Sequence, residues 1–358
     1  MTDLGPGGTP PLAAFYSLPL CSNLTAMHAG LCFDGFYSIQ EMIELAQLAD
    51  DIGMDSIWMS DHICFRDPIA SCMAFLAKTP RIKVNPAPLS PYSRHPMVTA
   101  MALVTLEEFA PGRVAATAGT ANPTALREIG IEPERMLRTM REYMTLLRRL
   151  LAGETVEFRG EVFTMNGAQM GLTPRTEIPI YMTAVRPRML RLAGEVGDGV
   201  LLSAGCTPAY IRQCVEEVEA GAARAGKPGK GEVAGFIAAS VSDDPREATD
   251  ATKTFLAYIF RNKHHAENIR LGGGSVDQDR LADAVGRRAW DEAKGLISDE
   301  VVHAHSVTGT PEECRRRLDE FVQGGLDLPL LMPLGTQEQR RRVVEIAREG
   351  QPPEMARD

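Results

Sequence analysis

A carboxylate and an imidazole stand side by side in the stretch GMDSIWMSDHIC, residues 53–64. Residues 57–59 are apolar and suit a strand that is covered on both faces, whereas Asp61 and His62 follow them closely. If the strand belongs to a parallel barrel, these two side chains lie at the mouth, where ligand chemistry gathers. The ordinary pKa of histidine, about 6.5, suits His62 for proton transfer near neutral pH. The alternative is structural: Asp61 pairs with Arg94, and His62 is a hydrogen-bonded residue of the rim.

Two arginines flank a predicted helix start in the stretch AVRPRML, residues 184–190. Pro187 suits the first position of a helix, and Arg186 and Arg188 stand on either side of it. The free N–H groups and the dipole of a helix start combine with guanidinium groups to bind phosphate. Solvated arginines on a surface helix are the alternative.

The sequence has no spacing typical of a metal site. It contains no H-E-x-x-H segment, and the close pairs His264–His265 and His303/His305 have no supporting ligands. The G-x-S-x-G elbow and the phosphate-binding P-loop pattern are also absent. An enzyme without metal or nucleophile motifs is expected to use an organic cofactor, so we predict a cofactor and no bound metal.

Short apolar runs alternate with amphipathic helical segments along the chain, as is typical of parallel strands covered by helices. The predicted strands are residues 12–20, 55–60, 81–88, 113–120, 178–185, 198–205, 233–241 and 326–334. The predicted helices include residues 38–53, 133–153, 186–197, 207–226 and 310–325. Eight strands alternating with helices indicate an α/β fold, a (β/α)8 TIM barrel that residues 1–358 form as one domain. An open doubly wound sheet is the competing fold, but no G-x-G-x-x-G turn follows the first predicted strand.

Two segments depart from this alternation. Residues 154–165 predict a β-hairpin about Arg159 and Gly160. Residues 243–305 contain more helix than one crossover needs. We predict that they form an inserted helical and loop segment, which acts as a lid or as a subunit contact.

Composition and charge narrow the class of protein. The chain has 358 residues and a net charge of −9, which disfavours nucleic acid as a partner. Its seven cysteines include no C-x-x-C pair and suit reduced thiols better than disulfides. No signal peptide or membrane-spanning run is recognisable. These observations predict a soluble, cytoplasmic protein that does not act at a membrane.

Five stretches, in this order along the chain, resemble the bacterial luciferase-like superfamily. They are GMDSIWMSDH, RIKVNPAPLSPYSRHP, LEEFAPGRVAATAGT, IPIYMTAVRPRMLRLAGEVGDGVLLSAG and VTGTPEECRRRLDEFVQGGLDLPLLMPLG. The sequence is most similar to the branch that uses coenzyme F420, a 5-deazaflavin, typified by methylenetetrahydromethanopterin reductase. The resemblance implies a TIM barrel with an insertion, a homodimer, and a flavin or deazaflavin at the barrel mouth beside a third strand with a non-proline cis peptide.

The resemblance also implies which residues hold the cofactor. Asp61 and His62 contact the ring or the substrate. The wall behind the ring is Asn85, Pro86, Ala87 and Pro88, its polar edge is Thr120 and Asn122, and the site of the phosphate tail is Thr183, Ala184, Val185, Arg186, Ser203, Ala204 and Gly205. Some relatives carry a glutamate after the fourth strand, where this chain reads GTANPT, and the first predicted strand also lacks a terminal glutamate. His62 is therefore the leading candidate for proton handling, with Asp61 as the second catalytic candidate.

The activity implied by the resemblance is hydride transfer between reduced F420 and an unsaturated small-molecule acceptor, with a C=C, C=N or C=O bond. Two alternatives stand beside it. One is a monooxygenase of the same fold that uses reduced FMN and oxygen, and the other is a cofactor-binding protein without turnover.

Overall fold

Parallel strands form the centre of the protein, and the computed structural model describes residues 28–348. The strands are β1 (Gly30–Phe33), β2 (Ser56–Met59), β3 (Lys83–Pro86), β4 (Ala116–Ala118), β5 (Val156–Arg159), β6 (Thr164–Ala168), β7 (Ile180–Ala184), β8 (Gly199–Leu202), β9 (Glu232–Val241), β10 (Ser306–Gly309) and β11 (Leu328–Pro333). Their order along the chain interleaves with helices, as the crossover connections of parallel strands require.

Eight of these strands close into a barrel. The hydrogen-bonded order is β3-β2-β1-β11-β9-β8-β7-β4. Bridges from Val84 to Val114 and from Leu89 to Ala118 join the β3 segment to the β4 segment and complete the ring. β10 is an additional strand that pairs with the C-terminal end of β9. The predicted (β/α)8 TIM barrel is therefore confirmed.

Helices cover the barrel and follow most of its strands. They are α1 (Ile39–Ile52), α2 (Pro68–Lys78), α3 (Pro96–Phe109), α4 (Pro123–Glu128), α5 (Met136–Leu151), α6 (Pro187–Val196), α7 (Pro208–Arg224), α8 (Pro245–Phe260), α9 (Ala266–Leu271), α10 (Gln278–Gly286), α11 (Trp290–Gly295), α12 (Asp299–His305), α13 (Pro311–Gln323) and α14 (Gln337–Glu345). Local sequence explains where several begin, because Thr310 and Glu313 form a reciprocal capping box at α13 and Thr207 caps α7. Pro187 is the first residue of α6, as predicted.

Side chains on the strands alternate between two separate cores. Leu31 and Phe33 of β1 lie in the core between the strands and the helices, whereas Cys32 lies in the core inside the barrel. Trp58 of β2 also points inward and meets the ring of Tyr181 edge-on at 5.0 Å between centroids. Inward-facing residues at the C-terminal ends of the strands therefore line the mouth, above a packed interior.

The first barrel strand lies later in the chain than predicted. The predicted strand at residues 12–20 falls outside the described residues, and β1 pairs with both β2 and β11 in the first-strand position. The other seven predicted strands coincide with β2, β3, β4, β7, β8, β9 and β11. The run Gly30–Phe33 has only four residues, so its local signal is weaker than that of the nine-residue run at 12–20.

Both predicted departures from the alternation contain regular structure. The hairpin is confirmed as the antiparallel pair β5–β6. Residues 243–305 contain α8 to α12, and side chains such as Leu256, Leu281 and Val302 form a core of their own. α8 packs against β9 and β10. Whether this segment acts as a lid or as a subunit contact stays a prediction.

Candidate active site

The first strand ends in an acid that the sequence analysis missed. Asp34 directly follows β1, and alternation continues the inward row of Cys32 at this position. Asp34 is 2% exposed, and burial raises the pKa of its carboxyl against smaller lowering effects from the Phe36 N–H and from His62. The Phe36 N–H donates to Asp34 Oδ1 at 3.0 Å. The signal was available, because the sequence LCFDG places an acid after an apolar run as SIWMSD does.

The ring of His62 is held from the β1 side of the mouth. Its Nδ1 lies 2.9 Å from the carbonyl oxygen of Asp34. A carbonyl oxygen only accepts, so Nδ1 carries the proton and Nε2 is the free acceptor of the neutral ring. The ring stacks on Phe36 at 5.6 Å between centroids, and His62 is exposed. His62 is therefore an oriented, accessible imidazole.

Asp61 has a raised pKa and no ion pair with Arg94. Burial raises the pKa of its carboxyl to about 6, although the nearby Arg94 lowers it and Asp67 raises it by smaller amounts. Arg94 instead binds Asp67, with Nη2 and Oδ2 at 2.5 Å. The structural alternative that pairs Asp61 with Arg94 is therefore wrong, and Asp61 is a half-buried acid that exchanges its proton near neutral pH.

Small and polar residues from β3, β4 and β7 meet at another wall of the mouth. A Cβ atom on Gly119 would lie 2.3 Å from Thr183 Cγ2 and 2.7 Å from Pro88 Cβ, so these three residues are in contact. Ala87 belongs to the inner core, and Thr120 is half-buried. The cis peptide of this segment is Ala87–Pro88, so the expectation of a non-proline cis peptide in the third strand is wrong.

Asn85 places a free amide donor beneath this wall. The side chain is fully buried, and its Oδ1 accepts a hydrogen bond from Thr117 Oγ1 at 3.0 Å. Its Nδ2 has no partner among the residues that the structure describes. A buried donor without a partner costs about 1–3 kcal/mol, and such a group is one that a ligand oxygen can satisfy.

Three residues assigned to the cofactor by resemblance face elsewhere. Ala184 lies in the outer core against the helices, and alternation places Pro86 on the outward row of Val84. Asn122 is exposed, and its side chain caps α4 by accepting the Thr124 N–H at 2.9 Å. The alternation of a strand makes every second residue unavailable to the mouth, so a consecutive run such as 85–88 or 183–186 cannot contact one ligand with all its side chains.

Arg186 lies at the predicted helix start, and its side chain makes no ion pair within residues 28–348. It is the N-cap of α6, it is exposed, and its side chain makes no capping hydrogen bond. Arg188 is exposed as well. Within residues 28–348 neither arginine is paired with a carboxylate, whereas Arg191, one turn further along α6, is paired with Glu217. The N-terminus of α6 therefore presents positive charge together with free backbone donors.

The loop after β8 is tightly folded. Ala204 and Gly205 are buried and Ser203 is half-buried, with its carbonyl oxygen accepting a hydrogen bond from Cys206 Sγ at 3.1 Å. Gly205 has a φ of +80°, which favours glycine. Its carbonyl oxygen accepts hydrogen bonds from two helices of the inserted segment. The sequence analysis placed these residues near the ligand but did not foresee their contact with the insertion.

A cleft of about 380 Å³ lies between α5 and α6, at the end of the barrel opposite the mouth. Its cations already have partners: Arg148 Nη2 binds Asp198 Oδ1 at 2.7 Å, and Lys227 Nζ donates to the Gly194 carbonyl oxygen at 3.1 Å. Because these cations already have internal hydrogen-bond partners, we do not assign ligand chemistry to this cleft.

The described residues contain no cluster of histidine, cysteine and acidic side chains that could hold a metal ion. His264 and His265 lie in contact, with 4.2 Å between ring centroids. Burial lowers the pKa of His265 to about 3, with smaller contributions from His264 and His305. Within residues 28–348, no helix is long and apolar enough to cross a membrane.

Comparisons with known proteins agree with this architecture. The sequence profile of the luciferase-like monooxygenase family matches residues 21–328. The 5,10-methylenetetrahydromethanopterin reductase of Archaeoglobus fulgidus is 32% identical and covers 84% of this chain and 91% of its own length. The F420-dependent glucose-6-phosphate dehydrogenase of Rhodococcus erythropolis is 29% identical over 80% of this chain and 86% of its own.

A solved structure is similar over nearly the same extent. The coenzyme F420-dependent tetrahydromethanopterin reductase from Methanopyrus kandleri has a TM-score of 0.81 at 24% identity, covering 90% of this chain and 97% of its own. The family profile covers most of the chain, and the archaeal reductase exceeds 30% identity over most of both sequences. The chain therefore belongs to the luciferase-like monooxygenase family.

Proposed function

We propose that the protein is an F420-dependent oxidoreductase that transfers a hydride between the reduced deazaflavin and an unsaturated small-molecule acceptor. The observation that carries this proposal is the division of the barrel mouth. Asp34 and His62 lie on the β1–β2 side, and Arg186 lies at a helix start on the β7 side. The F420-dependent relatives and the reductases named above support this cofactor.

The residues at the mouth fit a flat cofactor with an anionic tail. Ala87, Pro88 and Gly119 are small or rigid and allow a ring to approach the wall closely, and Asn85 Nδ2 is a donor without a partner within residues 28–348. The guanidinium of Arg186, which is not paired with a carboxylate within residues 28–348, suits a phosphate. When bound, a reduced 5-deazaflavin supplies a hydride and reacts little with oxygen.

Asp34 and His62 handle the proton in this proposal. Hydride addition to a C=C, C=N or C=O bond leaves the acceptor one proton short, so the site needs a positioned acid. Burial of Asp34 favours its neutral, proton-donating form, and the Asp34 carbonyl orients His62 with Nε2 free. Asp61 directly precedes His62 and has a pKa of about 6, but it continues the outward row of Ile57 and Met59, so we assign it no proton transfer at the mouth.

Cofactor binding by the purified chain tests the proposal. Trp58 is buried inside the barrel and the other tryptophan, Trp290, lies on α11, so quenching of tryptophan fluorescence in a Trp290→Phe background reports occupancy of the mouth when F420 or FMN is added in turn. We expect F420 to bind and FMN to compete weakly. Tight FMN binding without F420 binding would overturn the proposal in favour of an FMN-dependent monooxygenase.

Turnover separates an enzyme from a carrier. His62→Asn is expected to reduce the oxidation of reduced F420 by an acceptor panel about 100-fold or more while F420 affinity changes less than about twofold. A wild-type chain that binds F420 but oxidises it with no acceptor would be a cofactor-binding protein without turnover.

We also infer that two copies of the chain associate through α3. Val98, Met101 and Phe109 are 49%, 56% and 54% exposed and follow a helical stripe together with Thr105. A contiguous apolar stripe on a surface helix marks a protein contact, and a second copy would bury it. Light scattering should give a dimer mass for the wild type and a monomer mass for Met101→Glu; a wild-type monomer at micromolar concentration contradicts the inference.

A further inference from the structure

Asn268 ties the inserted helices to the loop that follows β8. It lies on α9, is 1% exposed, and uses both ends of its amide. Oδ1 accepts the Thr207 N–H at 3.0 Å and the Thr207 hydroxyl at 3.3 Å. Nδ2 donates to the Gly205 carbonyl oxygen at 2.5 Å. Because the amide is buried and hydrogen-bonded at both ends, it joins α9 to residues 205–207.

His305 binds the same loop from a second helix. Its Nδ1 donates to the Gly205 carbonyl oxygen at 2.6 Å, so that oxygen accepts from α9 and from α12. Gly205 itself has no room for a side chain, since a Cβ atom would lie 2.7 Å from Ile259 Cδ1 on α8. Three helices of the inserted segment therefore contact one glycine of the loop and brace it.

Tyr210 carries this connection from the β8 loop to the end of β7. Thr207, which Asn268 holds, caps α7 by accepting the Tyr210 N–H at 3.2 Å. The Tyr210 hydroxyl then donates to the Val185 carbonyl oxygen at 2.7 Å. Burial raises the pKa of Tyr210, so the hydroxyl stays a donor at neutral pH. Val185 directly precedes Arg186.

The bond to Val185 fixes the direction of the next backbone group. The peptide unit between Val185 and Arg186 is planar, so pinning its carbonyl also pins the Arg186 N–H and the start of α6. Anion binding at a helix start depends on the direction in which the backbone N–H groups point. If these groups are disordered in the free protein, ordering them costs free energy when the ligand binds. We propose that Tyr210 and Asn268 are positioning residues that hold Arg186 and the N-terminus of α6 in place for the anionic tail of the cofactor. This inference rests on the proposed function.

Tyr210→Phe is the sharpest test, because it removes one hydroxyl and keeps the ring. We expect intact F420 to bind roughly fivefold more weakly, whereas the deazaflavin with a ribityl chain but no phosphate binds as it does to the wild type. The KM for F420 should rise by a similar factor with kcat changed less than about twofold. Asn268→Asp, which keeps the acceptor for Thr207 but removes the donor to Gly205, should act in the same direction.

Tyr92→Phe is the matched control. Tyr92 is half-buried, and its hydroxyl also donates to a backbone carbonyl, that of Glu134, at 2.6 Å. The control should leave the affinities for F420 and for the phosphate-free fragment unchanged. Hydrogen–deuterium exchange of the cofactor-free chain adds a second readout, since backbone amides of residues 184–190 should exchange faster in Tyr210→Phe than in Tyr92→Phe.

The outcomes separate this inference from the proposed function. A wild-type chain that does not bind F420 overturns the proposed function and the inference with it. A wild-type chain that binds F420, together with a Tyr210→Phe variant that binds it equally well or loses intact cofactor and fragment equally, overturns only the inference. Unchanged exchange at residues 184–190 would show that the Tyr210 hydroxyl does not hold the start of α6.

Discussion

The two sides of the barrel mouth differ in charge and in how their charged groups are held. On the β1–β2 side, Asp34 and Asp61 are acids whose pKa values burial raises. On the β7–β8 side, Arg186 is exposed at a helix start and the backbone around it is braced by hydrogen bonds to Tyr210 and to the inserted helices. Buried acids suit proton transfer, whereas a braced cation suits static binding of an anion.

This difference orients a ligand that has one reactive end and one anionic end. An anion placed on the β1–β2 side would face the buried carboxyl of Asp34, whereas Arg186 on the β7–β8 side would attract it. Only one orientation of the cofactor therefore satisfies both sides. Changes on the acidic side should affect chemistry, and changes on the basic side should affect affinity.

Asp34→Asn is expected to have the largest effect. The variant keeps the acceptor for the Phe36 N–H but removes the ionisable carboxyl, so kcat should fall by about 10²–10³-fold with the affinity for F420 nearly unchanged. Steady-state kinetics and fluorescence titration measure the two quantities. Asp67→Asn, which changes an exposed acid of the same region, is the control and should lower kcat by less than about threefold. A loss of affinity with normal kcat in Asp34→Asn would reverse the division of roles.

Asp61→Asn is expected to make the protein more stable at neutral pH. Burial raises the folded pKa of Asp61 to about 6, above its ordinary value, so the carboxyl costs stability as pH rises through the window from about 4 to 6. Removing the charge should raise the free energy of unfolding at pH 7 by up to about 3 kcal/mol and change it little at pH 4. Urea unfolding at both pH values measures this, and a loss of stability at pH 7 would show that Asp61 has a structural role.

Low pH should lower the free energy of unfolding through His305, which holds the Gly205 loop on the β7–β8 side. Burial lowers its folded pKa to about 4, so the unfolded chain binds a proton below about pH 6.5 and the folded chain does not. The contribution of His305 to stability is therefore full above pH 6.5 and falls towards pH 4, by about 1.4 kcal/mol per pH unit and about 2 kcal/mol at pH 5. His305→Asn keeps an N–H for Gly205 and should flatten this part of the urea-unfolding profile; an unchanged slope would contradict the assignment.

Arg186→Ala is expected to have the smallest effect of these four substitutions. Loss of one partly solvated cation should weaken binding of intact F420 about tenfold and leave binding of the phosphate-free fragment unchanged. Arg191→Ala removes an arginine of the same helix that is already paired with Glu217, and it serves as the control. Equal losses for cofactor and fragment would refute the phosphate role of Arg186.

Local patterns predicted most of the barrel because each acts within a few residues. The apolar runs of seven strands, Pro187 at the start of α6, and the capping box of Thr310 and Glu313 are all present as predicted. The first strand was misplaced because GLCF is a short signal, and the error concealed Asp34 at its end. A strand of four residues is recognisable only through its neighbours β2 and β11, which lie far away in the sequence.

The site could be predicted only in part, for a related reason. His62 and Arg186 are marked by their position after apolar runs, whereas alternation sends Ala184 outward and capping of α4 occupies Asn122. The role of Asn268 could not be predicted from local sequence, because its hydrogen-bond partners lie 61 and 63 residues away along the chain. A polar residue inside a helical segment looks solvated until the fold buries it.

The amino-acid sequence by itself determined the alternation of strands and helices, the helix starts, and the presence of an acid–imidazole pair and an arginine at the ends of strands. These features depend on periodicity, capping and dipeptide chemistry, which are local. Only the tertiary structure decided which side chains face the mouth, which acids are buried enough to change their pKa, and how Tyr210 and Asn268 brace the basic side. Those properties depend on desolvation and on hydrogen bonds between distant segments, and they exist only once the barrel has closed.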